Sequence, residues 1–94
     1  MNYQVEITQS GRGGSVNYIE NEQALRLDWE FAMDGAYVFV PTATQWDAYW
    51  QSNNIHWAAG RRQEILERVA EEVRRQKAQT SEITMEDDCI HFKF

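Results

Sequence analysis

An α+β fold is predicted: an antiparallel sheet of about 4–6 strands packed on one long helix, with a short Trp-rich helix beside it. Three observations predict this. Apolar and polar side chains alternate in period two over the first forty residues, recur at helical spacing over 65–73, and alternate in period two again over 83–94. The chain has 94 residues, the length of one domain spanning 1–94. A chain of this size hides roughly 60–65% of its unfolded surface, which is one modest core without staples.

The strands are expected over about 2–40. Tyr3, Val5 and Ile7 alternate with Gln4, Glu6 and Thr8, the pattern of a strand with one wet face. Gly11, Gly13 and Gly14 read as a flexible hairpin connection, and a second strand follows around Val16–Glu20. Leu25, Leu27, Trp29 and Phe31 alternate with Arg26, Asp28 and Glu30 in the clearest strand of the chain. Met33-Asp34-Gly35-Ala36 carries the Asp-Gly pair of a tight turn. Tyr37-Val38-Phe39-Val40 is almost wholly apolar, which predicts a central strand covered on both faces.

Pro41 ends that strand, because it has no N–H for a ladder. Thr42 with Gln45 fits a capping box opening a short helix over about 43–51, which places Trp46, Tyr49 and Trp50 on one stripe. Asn54 then caps a long helix over about 55–78. Its stripe is Ile65, Leu66, Val69, Ala70 and Val73, extended backwards by Ile55, Ala58 and Ala59. Glu64–Arg68, Arg68–Glu72 and Glu71–Arg75 are i,i+4 pairs on its far side, worth about 0.2–0.5 kcal/mol each. Burial contributes more, about 1.5–3 kcal/mol per large apolar side chain, so the sheet holds this helix. A hairpin over about 82–94 closes the chain: Ile83 and Met85, a Glu86-Asp87-Asp88 turn, then Ile90, Phe92 and Phe94.

Fifteen acids against nine Lys and Arg give a net charge of −6, which argues against nucleic acid as partner. Residues 1–60 carry two Arg and seven acids, residues 61–80 six basic and four acidic groups, and residues 81–94 one Lys and four acids. The negative field therefore belongs to the sheet. Cys89 is the one cysteine, so no internal disulfide forms and a reducing, cytoplasmic setting is expected. The longest apolar run, Ala36 to Val40, is far short of a membrane span, and residues 1–30 lack the pattern of a secretory signal.

Each motif with chemical potential has a plainer reading. Cys89 and His91 share a strand face, but a zinc site needs four ligands and only His56 and carboxylates remain, so no metal is expected. Gly11-Arg12-Gly13-Gly14 lacks the Lys-Ser/Thr ending of a phosphate loop, no serine sits in a nucleophile elbow, and Glu86-Asp87-Asp88 lacks calcium-loop spacing. No cofactor is expected. Asp28 and Glu30 share one face about 7 Å apart, and with His56 they form the sole catalytic or ligand-binding alternative. Arg61-Arg62 and the later basic residues are cancelled by interleaved glutamates. Trp46, Tyr49, Trp50 and Trp57 are more ring than a short helix buries, so Trp50 or Trp57 is expected to stay partly exposed, as at binding hot spots.

The order Tyr18-Ile19-Glu20, alternating strand to Glu30, glycine turn, apolar strand, Trp46-Asp47 and Arg61-Arg62-Gln63-Glu64-Ile65-Leu66 resembles one family over residues 16–78. That family is the small immunity proteins of bacterial polymorphic toxin systems, with a Tyr-x-Glu strand, a Trp-acid motif and one long helix. The resemblance implies a non-enzymatic protein that neutralises a toxin, many of which are basic nucleases. An acidic partner binds such a toxin fast through complementary fields. On this reading Glu20, Asp28, Glu30 and Asp34 steer and Trp46, Asp47 and Trp50 make contact. For Glu20 and Trp46 a second role stays open, fixing a turn and filling the core. The alternatives are a subunit or adaptor of an assembly, including a homodimer through strand edges, and the small enzyme using Asp28, Glu30 and His56.

Overall fold

The computed structural model describes residues 2–94 and shows the α+β architecture. Its strands are β1 (Tyr3–Ser10), β2 (Gly13–Glu20), β3 (Gln23–Ala32), β4 (Gly35–Phe39), β5 (Glu82–Met85) and β6 (Cys89–Lys93). The helices are α1 (Trp46–Ser52) and α2 (Arg62–Lys77), with a single 3₁₀ turn at His56–Ala58 between them. All six strands form one antiparallel sheet in the order β1-β2-β3-β4-β6-β5. The meander runs outward-in from the β1 edge, and the C-terminal hairpin completes the sheet by laying β6 against β4.

Register follows the alternation. Val16 and Tyr18 of β2, Leu25, Leu27 and Trp29 of β3, Val38 of β4, and Ile90 and Phe92 of β6 all lie in the core. There they meet Ile65, Leu66, Val69, Ala70 and Val73, the apolar stripe of α2. Slipping any strand by one residue would turn its apolar set to water, and this fixes the pairing. The β2–β3 connection is two residues, Asn21 and Glu22, with φ of 49° and 64°. Positive φ at both positions is the requirement of a type I′ hairpin, and Asn satisfies it at low cost.

Five expectations are corrected. Gly13 and Gly14 lie inside β2 rather than in a loop, because neighbouring backbone approaches them closely: a Cβ on Gly14 would sit 2.0 Å from the Thr8 carbonyl oxygen. Strand β4 is covered on one face only, since Ala36 and Val38 are buried while Phe39 is exposed on the other side. The Thr42–Gln45 capping box does not form; α1 begins at Trp46, and the Ala43 N–H is taken by the distant Asp87 carboxylate at 3.0 Å. The long helix starts at Arg62, not at 55, because Asn54 and Gly60 adopt φ of 60° and 71° and break the helical run. On α2 Glu64 pairs with Arg68 as expected, whereas Arg75 turns to Glu72 at 2.7 Å and not to Glu71.

Candidate functional site

The two motifs that carried the family resemblance point inward. Tyr18 and Glu20 are two apart on β2, so both face α2, and Glu20 is only 3% exposed. The Tyr18 hydroxyl donates to Glu20 Oε2 at 2.5 Å. Arg61, at the entry to α2, donates to both Glu20 oxygens, with Nη2 to Oε2 at 2.9 Å. Arg68, nearly two turns on, donates to the Tyr18 hydroxyl at 2.8 Å and lies 3.0 Å from Glu64. Rings enclose this cluster: Tyr18 stacks on Tyr3 and Trp57, and the Arg61 and Arg68 guanidinium groups lie over Trp57 and Tyr3. The Arg61 hydrogen bonds hold the Glu20 carboxyl below the usual carboxylate range, against the opposing effect of burial. Burial and the neighbouring Glu20 push the Tyr18 phenol up.

The Trp-acid pair is a second clasp. Trp46, 1% exposed, donates from Nε1 to the Ala58 carbonyl at 2.8 Å. Asp47 accepts the Gly60 N–H at 2.9 Å. Together they tie α1 to the connection that leads into α2. Trp50 is 3% exposed and packs edge-on against Trp46. The expected contact role of Trp46 and the steering role of Glu20 are therefore corrected, since both side chains are buried and hydrogen-bonded within the fold. Trp50 is buried as well, but it lines a groove beside Arg26 and Asp28. Trp57, the other candidate for a half-exposed ring, is the one that keeps partial exposure.

What remains outside is the opposite face of the sheet. Asp28 and Glu30 project from β3 into solvent, and Asp34 is exposed at the β3–β4 turn. Phe39 lies directly opposite Asp28 in register, and Tyr37 opposite Glu30. Tyr37 stacks on His91 at 4.2 Å and donates to Asp34 at 3.2 Å. Its phenol is raised above its ordinary value of 10 by burial and by the Asp34 carboxylate. Meanwhile most arginines at and along α2 are paired within the chain: Arg61 and Arg68 with Glu20 and Glu64, Arg62 with Asp87, and the exposed Arg75 with Glu72, while Arg74 faces solvent. The charge of these paired arginines is balanced locally, and the sheet face carries Asp28, Glu30 and the nearby Asp34 against Arg26.

Where this face meets α1, two adjoining hollows of 430 and 220 Å³ share Arg26, Asp28 and Tyr49. Phe39 and Pro41 line one end and Trp50 the other. Tyr49 and Phe39 are 48% and 43% exposed, while the buried Trp50 Nε1 has no acceptor among the described residues. Arg26 lies 3.4 Å from Asp28, both side chains about 70% exposed. Sequence reasoning missed Phe39, because it sits in an apolar run, and named Tyr49 only as one of a ring cluster.

Asp28, Glu30 and His56 are not gathered: His56 opens the 3₁₀ turn, and neither it nor Glu30 lines the groove that holds Asp28. Cys89 is buried and its thiol is pushed up to about 11, chiefly by burial, so it stays protonated at neutral pH. Among the described residues no three His, Cys, Asp or Glu side chains are grouped to hold a metal ion, and no helix is long and apolar enough to cross a membrane. Comparison with protein-family models, with curated proteins and with solved structures finds no match to this chain.

Proposed function

We propose that this domain is a non-enzymatic binding module for a basic protein, and that its partner is a bacterial toxin which it neutralises. One observation carries the reading: an exposed sheet face on which Asp28 lies beside the rings of Phe39 and Tyr49, with Glu30 and Asp34 farther along. Arg26 is the basic group placed against Asp28, while Arg61, Arg62 and Arg68 are paired within the fold. Acids of one sign on an open face speed the encounter with a cationic partner, and partly exposed rings supply the desolvated contact that slows departure. The resemblance to immunity proteins supports the toxin as partner.

The test is the association rate with the basic partner across a salt series. It is expected to fall at least tenfold between 20 mM and 300 mM salt, as fields are screened beyond about 10 Å. Asp28→Asn with Glu30→Gln should remove most of that dependence with the fold intact. A rate indifferent to salt would overturn the reading. One observation favours a second reading, a subunit of an assembly: β1 is an eight-residue strand at a free edge of the sheet. Light scattering separates the two, since a dimer in the absence of any partner supports assembly through that edge.

A further inference from the structure

We propose that the groove between β3, β4 and α1 is an arginine socket, in which Arg26 of the free chain holds the place of a partner's arginine. The inference rests on the binding-module reading and adds the chemistry of the residue that enters. Three elements each supply one part. Asp28 from β3 presents a carboxylate that is 70% exposed. Phe39 from β4 is its register neighbour on the same face, which sets the two Cβ atoms about 5 Å apart, and both residues line the same hollow. Tyr49 from α1 forms the facing wall and is fixed edge-on against the buried Trp50, at 4.8 Å and 88°.

A carboxylate and two exposed rings lining one hollow are the setting a guanidinium recognises. Its planar fork matches carboxylate oxygens, and its faces stack on aromatic rings. The chain already places one there: Arg26 lines both hollows and meets Asp28 at 3.4 Å. That pair is exposed on both sides and holds weakly in water. A partner's arginine that also gains the rings displaces it. Two combined hollows of 430 and 220 Å³ leave room for the exchange. Arg26 is therefore a competitor of the incoming group, and this fixes the sign of its removal.

The experiment uses blocked tripeptides, acetyl-Gly-Arg-Gly-amide and its neutral citrulline and acidic glutamate counterparts, titrated into the whole chain and followed by ¹H–¹⁵N shifts. The arginine peptide is expected to move the signals of Arg26, Asp28, Phe39, Tyr49 and the Trp50 indole N–H saturably, and the other two to leave them in place. Asp28→Asn and Tyr49→Ala should weaken the arginine peptide at least threefold, and Arg26→Ala should tighten it at least twofold. Asp28 and Arg26 are exposed, so these two variants keep the comparison intact should Tyr49→Ala fail to fold. Equal response to citrulline, tighter binding of the glutamate peptide, no saturable shift in the groove, or weakening by Arg26→Ala each overturns the socket. A basic protein that binds with these groove signals unmoved overturns the socket alone. A functioning socket in a chain that binds no basic protein overturns the broader reading instead.

Discussion

Arg61 grips the carboxylate of Glu20 with both terminal nitrogens across 41 positions of sequence, joining the end of β2 to the entry of α2. Glu20 is 3% exposed and Arg61 23%. Removing one partner of such a pair strands a buried charge, which costs on the order of 3 kcal/mol. Arg61→Met is therefore expected to lower the urea-unfolding free energy by about that amount, softened where Arg68 takes up the load. Arg61→Lys should fall between, because an ammonium cannot make the two-pronged contact. Arg75→Met is the control: Arg75 is 67% exposed and its loss should stay within about 0.5 kcal/mol. Equal losses for the Arg61 and Arg75 variants would remove Glu20–Arg61 from the list of fold determinants.

The same pair sets an acid limb. Its folded carboxyl lies below the ordinary value of 4.5, chiefly through Arg61. A depressed folded value means the contribution is complete above 4.5 and is lost as pH falls through the folded value. Glu64 and Glu72 shift the same way, through Arg61 and Arg75, from more exposed positions. Denaturation between pH 3 and 7 should show a plateau above pH 5 and a fall below 4.5. Glu20→Gln should be less stable at pH 7, with a shallower acid limb that approaches the parent curve as pH falls through the lowered folded value. Parallel curves for the two chains would contradict the assignment.

Gly14 is demanded by its neighbours rather than by its dihedrals. The Trp29 indole lies opposite it in register and donates across it to the Thr8 carbonyl at 2.8 Å. A methyl at Gly14 would meet the Thr8 oxygen at 2.0 Å and its carbonyl carbon at 2.8 Å, both backbone atoms that cannot step aside. Gly14→Ala should cost at least about 2 kcal/mol by overpacking and alter the near-UV signal of Trp29. Gly11→Ala meets nothing within 4 Å, and only its φ of +64° resists the change, a penalty of about 1 kcal/mol. The order of the two unfolding midpoints checks this.

How far the sequence is legible depends on the range of the forces involved. The inward set of β3, Leu25-x-Leu27-x-Trp29, is local alternation and reads directly, as does the stripe Ile65 to Val73. The start of α2 does not read, because Ile55, Ala58 and Ala59 continue the helical spacing while the Trp46 and Asp47 contacts hold that segment out of the helix from twelve and thirteen positions away. Glu20 looks like any surface acid of an alternating strand until Arg61 is placed beside it. Tyr37 to Val40 looks buried on both sides, and only the placed elements show Phe39 left 43% exposed on the outer face. The acids of the outer face were legible. Their ring neighbour Tyr49 was not, since it arrives from another element.

The Trp46–Asp47 clasp makes a prediction that separates support of the fold from contact with a partner. Trp46→Phe removes one of two donors to the buried Ala58 carbonyl, which keeps the Arg61 N–H at 3.1 Å, a loss of about 0.5–1.5 kcal/mol for the hydrogen bond. Asp47 is exposed, so Asp47→Ala should cost less than about 1 kcal/mol, yet it frees the Gly60 N–H that Asp47 holds at 2.9 Å. Amide exchange at Gly60 is the direct reading: faster in Asp47→Ala and close to the parent in Asp47→Asn, whose amide oxygen still accepts. A contact role for the acid would give the reverse, with Gly60 exchange unchanged and partner affinity lost. The first outcome is the expected one, because Asp47 Oδ1 already accepts from the backbone it clamps.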